Sequence, residues 1–287
     1  RYNLIGFYDN NSSLSETVSK ELSCPHFNSF EELLDAVDVI DIVTPTPSHF
    51  QYASKALSHK KHIFIEKPIT NNLDEANQII SLAKNNNVKG QVGHVERFNP
   101  AYLYAKDKII KPMFIETHRL AQFNPRGTDV PVILDLMIHD IDIILDLVKS
   151  EITSISSNGI SVISKSPDIA NARIEFENGC VANLTSSRIS LKNMRKFRVF
   201  QKNKYISIDF HKKDCEIVMM NDLSNGDTTN GLILENAEGV KKQVTIDKSV
   251  IEDSNAILSE LESLADSIEK DLAPTVSLED GQKALKV

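Results

Sequence analysis

The sequence has no Gly-x-Gly-x-x-Gly motif, no long apolar run and only three cysteines among its 287 residues. Cys24, Cys180 and Cys215 form no Cys-x-x-Cys pair, so the pattern indicates neither a disulfide framework nor a zinc site. Reduced thiols are typical of the cytoplasm, which is the location that we expect. No segment is long and apolar enough to cross a bilayer and no signal peptide is visible, so we expect no membrane association.

Basic residues are in the minority, since 32 Lys and Arg face 40 Asp and Glu, giving a formal net charge of -8. This excess of acid argues against a general nucleic-acid binder. The one basic cluster is interpreted as a solvated strand edge or loop in preference to a phosphate site, and it comprises Lys192, Arg195, Lys196 and Arg198. The length suits about two domains.

The first third of the chain alternates apolar strands with helices, which predicts a parallel sheet. Strands are predicted over residues 4–9, 39–43, 62–66 and 88–95. Later segments predict helices over 102–110, 132–148 and 251–270, and hairpins that include one at Asn178-Gly179 and one that turns near Glu238-Gly239. The fold class that we predict is α/β. A Rossmann-type parallel sheet over residues 1–98 precedes an α+β domain over 99–287 with a large, mostly antiparallel sheet.

A dinucleotide-binding domain normally opens with a strand, a glycine-rich turn and a helix that holds the pyrophosphate. The segment over residues 4–9 matches the second strand of such a unit, with Asp9 where an acid binds the ribose. We interpret the first strand and the glycine-rich turn as missing, with roughly thirty residues preceding Arg1. The alternative is that Asp9 is merely a turn residue.

The most informative motif is the apolar strand that ends in Glu66, Lys67 and Pro68. Ligands of open α/β sheets bind at the carboxyl ends of the strands, so a lysine held there by a rigid proline is placed for chemistry. The alternative is a strand end capped by a surface ion pair.

A second cluster joins Asp135 to His139, four residues apart on a predicted helix with apolar neighbours. An ionisable pair in such surroundings is costly unless it is hydrogen-bonded or functional. A histidine beside a carboxylate can act as a general base near neutral pH. The alternatives are a structural pair or metal ligands, but the sequence has no His-Glu-x-x-His motif and no third ligand, so we predict no metal site.

Two further polar segments follow predicted strands. Residues 93–100 contain His94, which can line a nicotinamide or substrate site, and Arg97, which can grip a carboxylate or phosphate. Residues 119–129 contain Arg126 and can cover a substrate. Each segment can also be an ordinary loop or connector.

Taken together, these segments resemble the Gfo/Idh/MocA family of oxidoreductases over essentially the whole chain. The resemblance rests on the Thr-Pro segment over 44–49, the Glu-Lys-Pro motif, residues 93–100 and the Asp-x-x-x-His helix. It implies that Lys67 and His139 form the catalytic centre and that Asp135 assists. The implied cofactor contacts are Asp9, Thr44, Pro45, His49, Glu66, Lys67 and His94. The implied substrate contacts are Lys67, Arg97, Arg126, Asp135 and His139.

The resemblance implies an NAD-dependent oxidoreductase that transfers a hydride between the secondary alcohol of a sugar, or nucleotide-linked amino sugar, and the nicotinamide. NADP is less expected, because Asp9 would repel a 2′-phosphate and Asn10 and Asn11 supply no arginine to receive it. One alternative is a non-catalytic NAD-sensing regulatory module of the same fold. Another is an imine or enone reductase that uses the same site. We expect a homodimer or homotetramer formed through the C-terminal sheet, and no nucleic-acid partner.

Overall fold

A computed structural model describes residues 1–125, 130–223, 232–248 and 251–287. The chain folds as two units, of which the first is discontinuous in sequence. The first unit comprises Arg1–His94 and Ile257–Val287, and the second comprises Val95–Ala256.

The first unit contains a three-stranded parallel sheet. Its strands are β1 (Val39–Ile42), β2 (His62–Glu66) and β3 (Gly90–Gly93), and they lie side by side in that order. The central strand is the most apolar, and its Ile63 and Ile65 are fully buried. The parallel sheet predicted from the strand–helix alternation is therefore confirmed.

Helices connect these strands and complete the first unit. They are α1 (Ser12–Leu22), α2 (Phe30–Ala36), α3 (His49–Ser58), α4 (Leu73–Asn86), α7 (Ala256–Glu269) and α8 (Leu278–Lys286). Short polar side chains fix where several of them begin. Asn72 accepts the Glu75 backbone N–H at the start of α4, and Ser29 accepts that of Glu32 in α2.

The predicted strand over residues 4–9 is reduced to a single parallel bridge between Phe7 and His26. Two backbone hydrogen bonds form it, from the Phe7 N–H to the Pro25 oxygen at 3.0 Å and from the Phe27 N–H to the Phe7 oxygen at 2.9 Å. Leu4 is exposed. The strand prediction was wrong because no described neighbour pairs with the rest of the segment, and a strand is defined by its partners.

The last two helices pack with the first unit, whereas the predicted division at residue 98 grouped them with the second domain. The reason is visible at β3. The Val92 N–H donates to the Val276 oxygen at 3.1 Å, and the Gln91 side-chain amide donates to the Glu260 backbone oxygen at 2.6 Å. Leu278 lies so close to β3 that a Cβ on Gly90 would stand 2.7 Å from it.

The second unit is built on a nine-stranded sheet, in the order β11-β12-β10-β9-β8-β4-β7-β6-β5. All neighbouring strands are antiparallel except β4 and β7. This confirms the predicted large, mostly antiparallel sheet. The strands are β4 (Phe114–Leu120), β5 (Ile152–Ile160), β6 (Ile169–Phe176), β7 (Val181–Ser187), β8 (Met194–Gln201), β9 (Lys204–Asp209), β10 (Asp214–Asp222), β11 (Leu232–Glu235) and β12 (Lys241–Asp247).

The predicted hairpin at Asn178-Gly179 joins β6 to β7. Gly179 has a φ of +84°, a backbone conformation that favours glycine because a Cβ would strain it. The same holds for Gly239, with a φ of +79°, between β11 and β12. These local turn signals were sufficient to predict both hairpins.

One face of this sheet is buried beneath helices α5 (Pro100–Lys106) and α6 (Ile138–Val148). On β4 the buried residues alternate as Ile115, Thr117 and Arg119, as expected for a sheet with one face in the core. The predicted continuous helix over 132–148 begins instead as a π-helix, Ile133–Met137, before α6. π-helical segments are rare and occur frequently at functional sites.

Candidate active site

The loops that follow β1, β2 and β3 contain most of the predicted cofactor contacts. β2 ends at Glu66, and Lys67 follows with a cis peptide bond to Pro68. The Lys67 backbone N–H donates to Glu66 Oε2 at 3.2 Å, and both side chains are half-buried. A Cβ on Gly93, at the end of β3, would lie 3.2 Å from the Glu66 carboxyl group, so the glycine leaves the room that Glu66 occupies.

His49, the first residue of α3, connects two of these loops. Its ring is only 1% exposed. Nδ1 lies 2.8 Å from the Pro68 carbonyl oxygen, and Nε2 lies 2.9 Å from the Thr44 carbonyl oxygen. Both ring nitrogens therefore face backbone carbonyl oxygens, and a neutral ring, which carries one N–H, can donate to only one of the two. Because the ring is buried against these loops, His49 is not an exposed cofactor contact.

The loop after β1 is better suited to meet a ligand. Pro45 is exposed, and Thr46–Ser48 form a short 3-10 helix that leads into α3. The Thr44 hydroxyl oxygen is buried and has no hydrogen-bond partner within the described ranges. A buried hydroxyl group in that state can bond a ligand that arrives at the carboxyl end of β1.

Asp9 is exposed, and its Oδ1 accepts the Asn11 backbone N–H at 2.8 Å. The hydroxyl groups of Tyr8 and Tyr52 both donate to Asn10 Oδ1, at 2.7 and 3.1 Å. The carboxylate of Asp9 therefore keeps acceptor capacity for an added hydroxyl pair such as that of a ribose.

A buried acid on α7 was missed by the sequence reasoning. Glu260 is 2% exposed and lies near the carboxylates of Glu66 and Asp41. Burial, followed by those two charges, raises the pKa of Glu260 to about 8. The signal was present in the sequence, because Glu260 shares helical spacing with the buried residues Leu264 and Ser267.

In the second unit, Asp135 and His139 lie at the junction of the π-helix and α6, and both are half-buried. The Asp135 N–H donates to the Pro131 oxygen at 3.0 Å. The Ile138 N–H donates to the Ile133 oxygen, the five-residue spacing of a π-helix. The structure thus places the predicted proton-transfer pair one turn apart where the helix changes its winding.

A buried ion cluster anchors this helix to the sheet. Arg119 of β4 is 3% exposed and donates to Asp140 through Nε at 3.0 Å and Nη2 at 2.7 Å. Its Nη1 donates to Glu96 at 2.9 Å. Burial alone would lower the pKa of Arg119, but the carboxylates of Asp140 and Glu96 raise it above its ordinary value. Asp140 is the residue after His139, so this cluster fixes the backbone beside the candidate base.

Arg97 belongs to a second buried ion pair. It donates to both oxygens of Asp142 at 2.7 and 2.9 Å, and its Nη1 lies 2.8 Å from Asp146. The Tyr102 hydroxyl group also donates to Asp146. Because these partners occupy the guanidinium group, Arg97 anchors the helix, and its role in substrate binding stays a prediction.

Two other residues were predicted to contact the cofactor or the substrate. His94 directly follows β3 in the first unit and is buried. Arg126 lies outside the described residues. The structure therefore brings together Thr44, His49, Glu66 and Lys67 within the first unit. It brings together Asp135 and His139 within the second.

Two family models match the chain. Residues 1–94 match the oxidoreductase family with an NAD-binding Rossmann fold, and residues 88–207 match the GFO/IDH/MocA C-terminal domain. A solved structure of UDP-N-acetylglucosamine 3-dehydrogenase from Acidithiobacillus ferrooxidans is 31% identical, with a TM-score of 0.87 over 98% of this chain and 86% of that one. This chain belongs to the Gfo/Idh/MocA family of oxidoreductases.

Two curated relatives of this chain are also named as dehydrogenases. The Acidithiobacillus ferrooxidans UDP-N-acetylglucosamine 3-dehydrogenase is 38% identical over 72% of this chain and 66% of its own length. The scyllo-inositol 2-dehydrogenase (NAD(+)) of Bacillus subtilis is 34% identical over 61% of this chain and 57% of its own length. The matched part thus spans about two thirds or less of these relatives.

None of the helices in the described residues has the length and apolar character needed to cross a membrane. Within the same ranges, no three His, Cys, Asp or Glu side chains come together in a way that could hold a metal ion.

We predict that Arg119→Met destabilises the second unit by about 3–5 kcal/mol, because the change leaves Asp140 buried without its cation and Glu96 with a longer, 3.5 Å contact to Arg195. Denaturant unfolding of the purified chain measures the effect. The control is Arg173→Met, which removes an exposed pair with Glu175 and should cost about 0–1 kcal/mol. Equal effects of the two substitutions would show that the buried cluster does not anchor the helix.

We predict that Glu260 makes the stability of the first unit depend on pH. Because its pKa is raised in the folded state, its contribution is fully present below about pH 4.5 and is lost as the pH rises through about 8. Thermal unfolding at about pH 5 and about pH 9 should therefore differ less in Glu260→Gln than in the wild type. Glu262→Gln, at an exposed position of the same helix, should keep the wild-type difference.

Proposed function

We propose that this family member is an NAD-dependent dehydrogenase that oxidises a secondary alcohol on a sugar ring. The observation that carries the proposal is the Asp135–His139 pair at the π-to-α junction, fixed by buried ion pairs, in a chain that also presents Lys67 at the carboxyl end of β2. Reversible hydride transfer needs a group that exchanges the hydroxyl proton and a cation that stabilises the alkoxide, and these residue types supply both.

In the proposed mechanism, the His139 imidazole removes the hydroxyl proton of the substrate. The Lys67 ammonium group donates a hydrogen bond to the same oxygen and stabilises the negative charge that develops on it. Asp135 orients the imidazole or a neighbouring substrate hydroxyl. Glu66 keeps Lys67 in place, since its carboxylate already holds the Lys67 backbone N–H.

The residues of the first unit fit an NAD molecule lying across the carboxyl ends of its strands. Asp9 would hold the adenosine ribose, and the partnerless Thr44 hydroxyl group and exposed Pro45 would lie beside the nicotinamide. When bound, NAD supplies the acceptor for the hydride. We propose NAD in preference to NADP because Asp9 would repel a 2′-phosphate and the next residues, Asn10 and Asn11, supply no arginine to receive it.

The proposed substrate class is a sugar linked to a nucleotide. Support comes from the UDP-N-acetylglucosamine 3-dehydrogenase relative, which aligns with more of this chain than the inositol dehydrogenase does. The proposed site is a small-molecule site, consistent with an acidic chain and its half-buried catalytic groups.

We further propose that two or four copies associate through the nine-stranded sheet. The face of β4 and β8 opposite the helices carries partly exposed aromatic and aliphatic side chains, including Phe114, Phe200 and Met194. Apolar groups spread over an open sheet face favour association with another such face.

The rival proposal is an NAD-sensing regulatory module without catalysis. It would require cofactor binding but no alignment of Lys67, Asp135 and His139. The anchoring of α6 by two separate ion pairs beside His139 favours the enzyme, because a sensor needs no fixed base.

We predict that Lys67→Met and His139→Ala each lower kcat by roughly 100- to 10,000-fold, with little change in the Kd for NAD. The assay follows nicotinamide absorbance with the full-length protein and a panel of nucleotide sugars. If the two residues act in one site, the double variant should fall about as far as the worse single variant. Lys20→Met and His211→Ala, at exposed positions of the same two units, serve as controls. Full activity in either single variant would refute its role.

We predict that Asp9→Ser shifts cofactor preference toward NADP. Losing a charged acceptor for the ribose hydroxyl groups should weaken NAD binding by roughly 10- to 100-fold, while removal of the negative charge favours a 2′-phosphate. Titration of both cofactors measures the ratio of their Kd values. Asp35→Ser, on the exposed surface of α2, should leave that ratio unchanged. A wild-type preference for NADP would contradict the proposal.

A further inference from the structure

His49, the first residue of α3, contacts the loops that follow two neighbouring strands. Thr44 lies two residues beyond β1 and Pro68 lies two residues beyond β2, and the two strands are paired in parallel up to Ile42 and Ile65. The His49 ring stands between the two loops, 2.8 Å from one carbonyl oxygen and 2.9 Å from the other. It is almost completely buried, so water cannot replace these bonds at low cost.

The contact with Pro68 has a consequence for Lys67. The backbone N–H of Lys67 is held by Glu66 Oε2, and the carbonyl group of the next residue is held by His49 Nδ1. The backbone that carries the lysine side chain is therefore fixed on both sides. A residue can affect the reaction rate without touching the substrate if it holds a catalytic side chain in position. A displacement of that side chain by about 1 Å can lower the rate roughly 100-fold.

We propose that His49 is a positioning residue, which fixes Lys67 by donating from Nδ1 to the Pro68 carbonyl oxygen and does not itself touch the cofactor. The inference rests on the proposed function, since it assigns a role in the reaction that Lys67 serves. In this tautomer Nε2 carries no hydrogen, so the ring lies beside the Thr44 carbonyl oxygen without donating to it.

Two amide side chains separate the roles of the two ring nitrogens. An asparagine at position 49 places its amide nitrogen near the position of Nδ1, whereas a glutamine places its amide nitrogen near that of Nε2. His49→Asn should therefore keep the bond to Pro68, whereas His49→Gln can donate only to Thr44. Alanine removes both.

Steady-state kinetics of the full chain with NAD and a nucleotide sugar test the proposal. His49→Ala and His49→Gln should lower kcat by roughly 100-fold, His49→Asn should recover most of that loss, and the Kd for NAD should change much less than kcat. The control is His59→Ala, which removes an exposed histidine at the other end of α3. Wild-type kcat in His49→Ala, or equal losses in all three variants, would overturn the assignment.

A second measurement tests the bridge without any enzymatic activity. In the protein labelled with ¹⁵N-histidine, we expect a ring N–H signal protected from solvent exchange that disappears in His49→Ala and persists in Lys67→Met. If no substrate in the panel is oxidised but this signal is present, the proposed function fails and the bridge stands. If the signal is absent from the wild type, the positioning role fails even when the enzyme is active.

Discussion

The burial of the Arg119 guanidinium group against Asp140 and Glu96 is the interaction on which the second unit's candidate site depends. A buried charge is costly unless an opposite charge pairs with it. The ion pairs of Arg119 therefore hold β4 and α6 in the arrangement that brings these groups together. Arg97 makes a similar buried contact further along α6, where it pairs with Asp142 and Asp146. His139 thus precedes three carboxylates of α6 that are all held by ion pairs. The backbone beside it is held by residues whose charged groups are paired within the protein.

The first unit holds its candidate catalytic group by different means. Lys67 follows β2, and its backbone is held on both sides. The Glu66 carboxylate accepts the Lys67 N–H, and the His49 ring contacts the Pro68 carbonyl oxygen. Ion pairs orient a helix in one unit, whereas single hydrogen bonds shape a loop in the other. Both arrangements leave the reactive side chains half-buried, which strengthens electrostatic interactions and still admits a ligand.

The sequence was a good guide wherever the signal was local. Strand-forming segments and turn residues predicted the hairpins at Gly179 and Gly239, and an apolar strand ending in Glu-Lys-Pro located Lys67. Failures occurred where the answer depended on distant partners. The segment over 4–9 lacks a described neighbour to pair with, and Arg97 meets an acid 45 residues away. The π-helix escaped prediction because its apolar pattern also suits an α-helix.

The discontinuity of the first unit has a consequence for synthesis on the ribosome. Helix α7 and the segment before α8 hydrogen-bond to Gln91 and Val92, and Leu278 of α8 covers β3, yet these residues are translated after nearly all of the second unit. The sheet of the first unit therefore lacks this cover while some 160 residues emerge, a number that follows from the bounds Val95–Ala256. Domains generally fold as units in order of synthesis. Here the synthesis of the first unit begins before that of the second unit and ends after it.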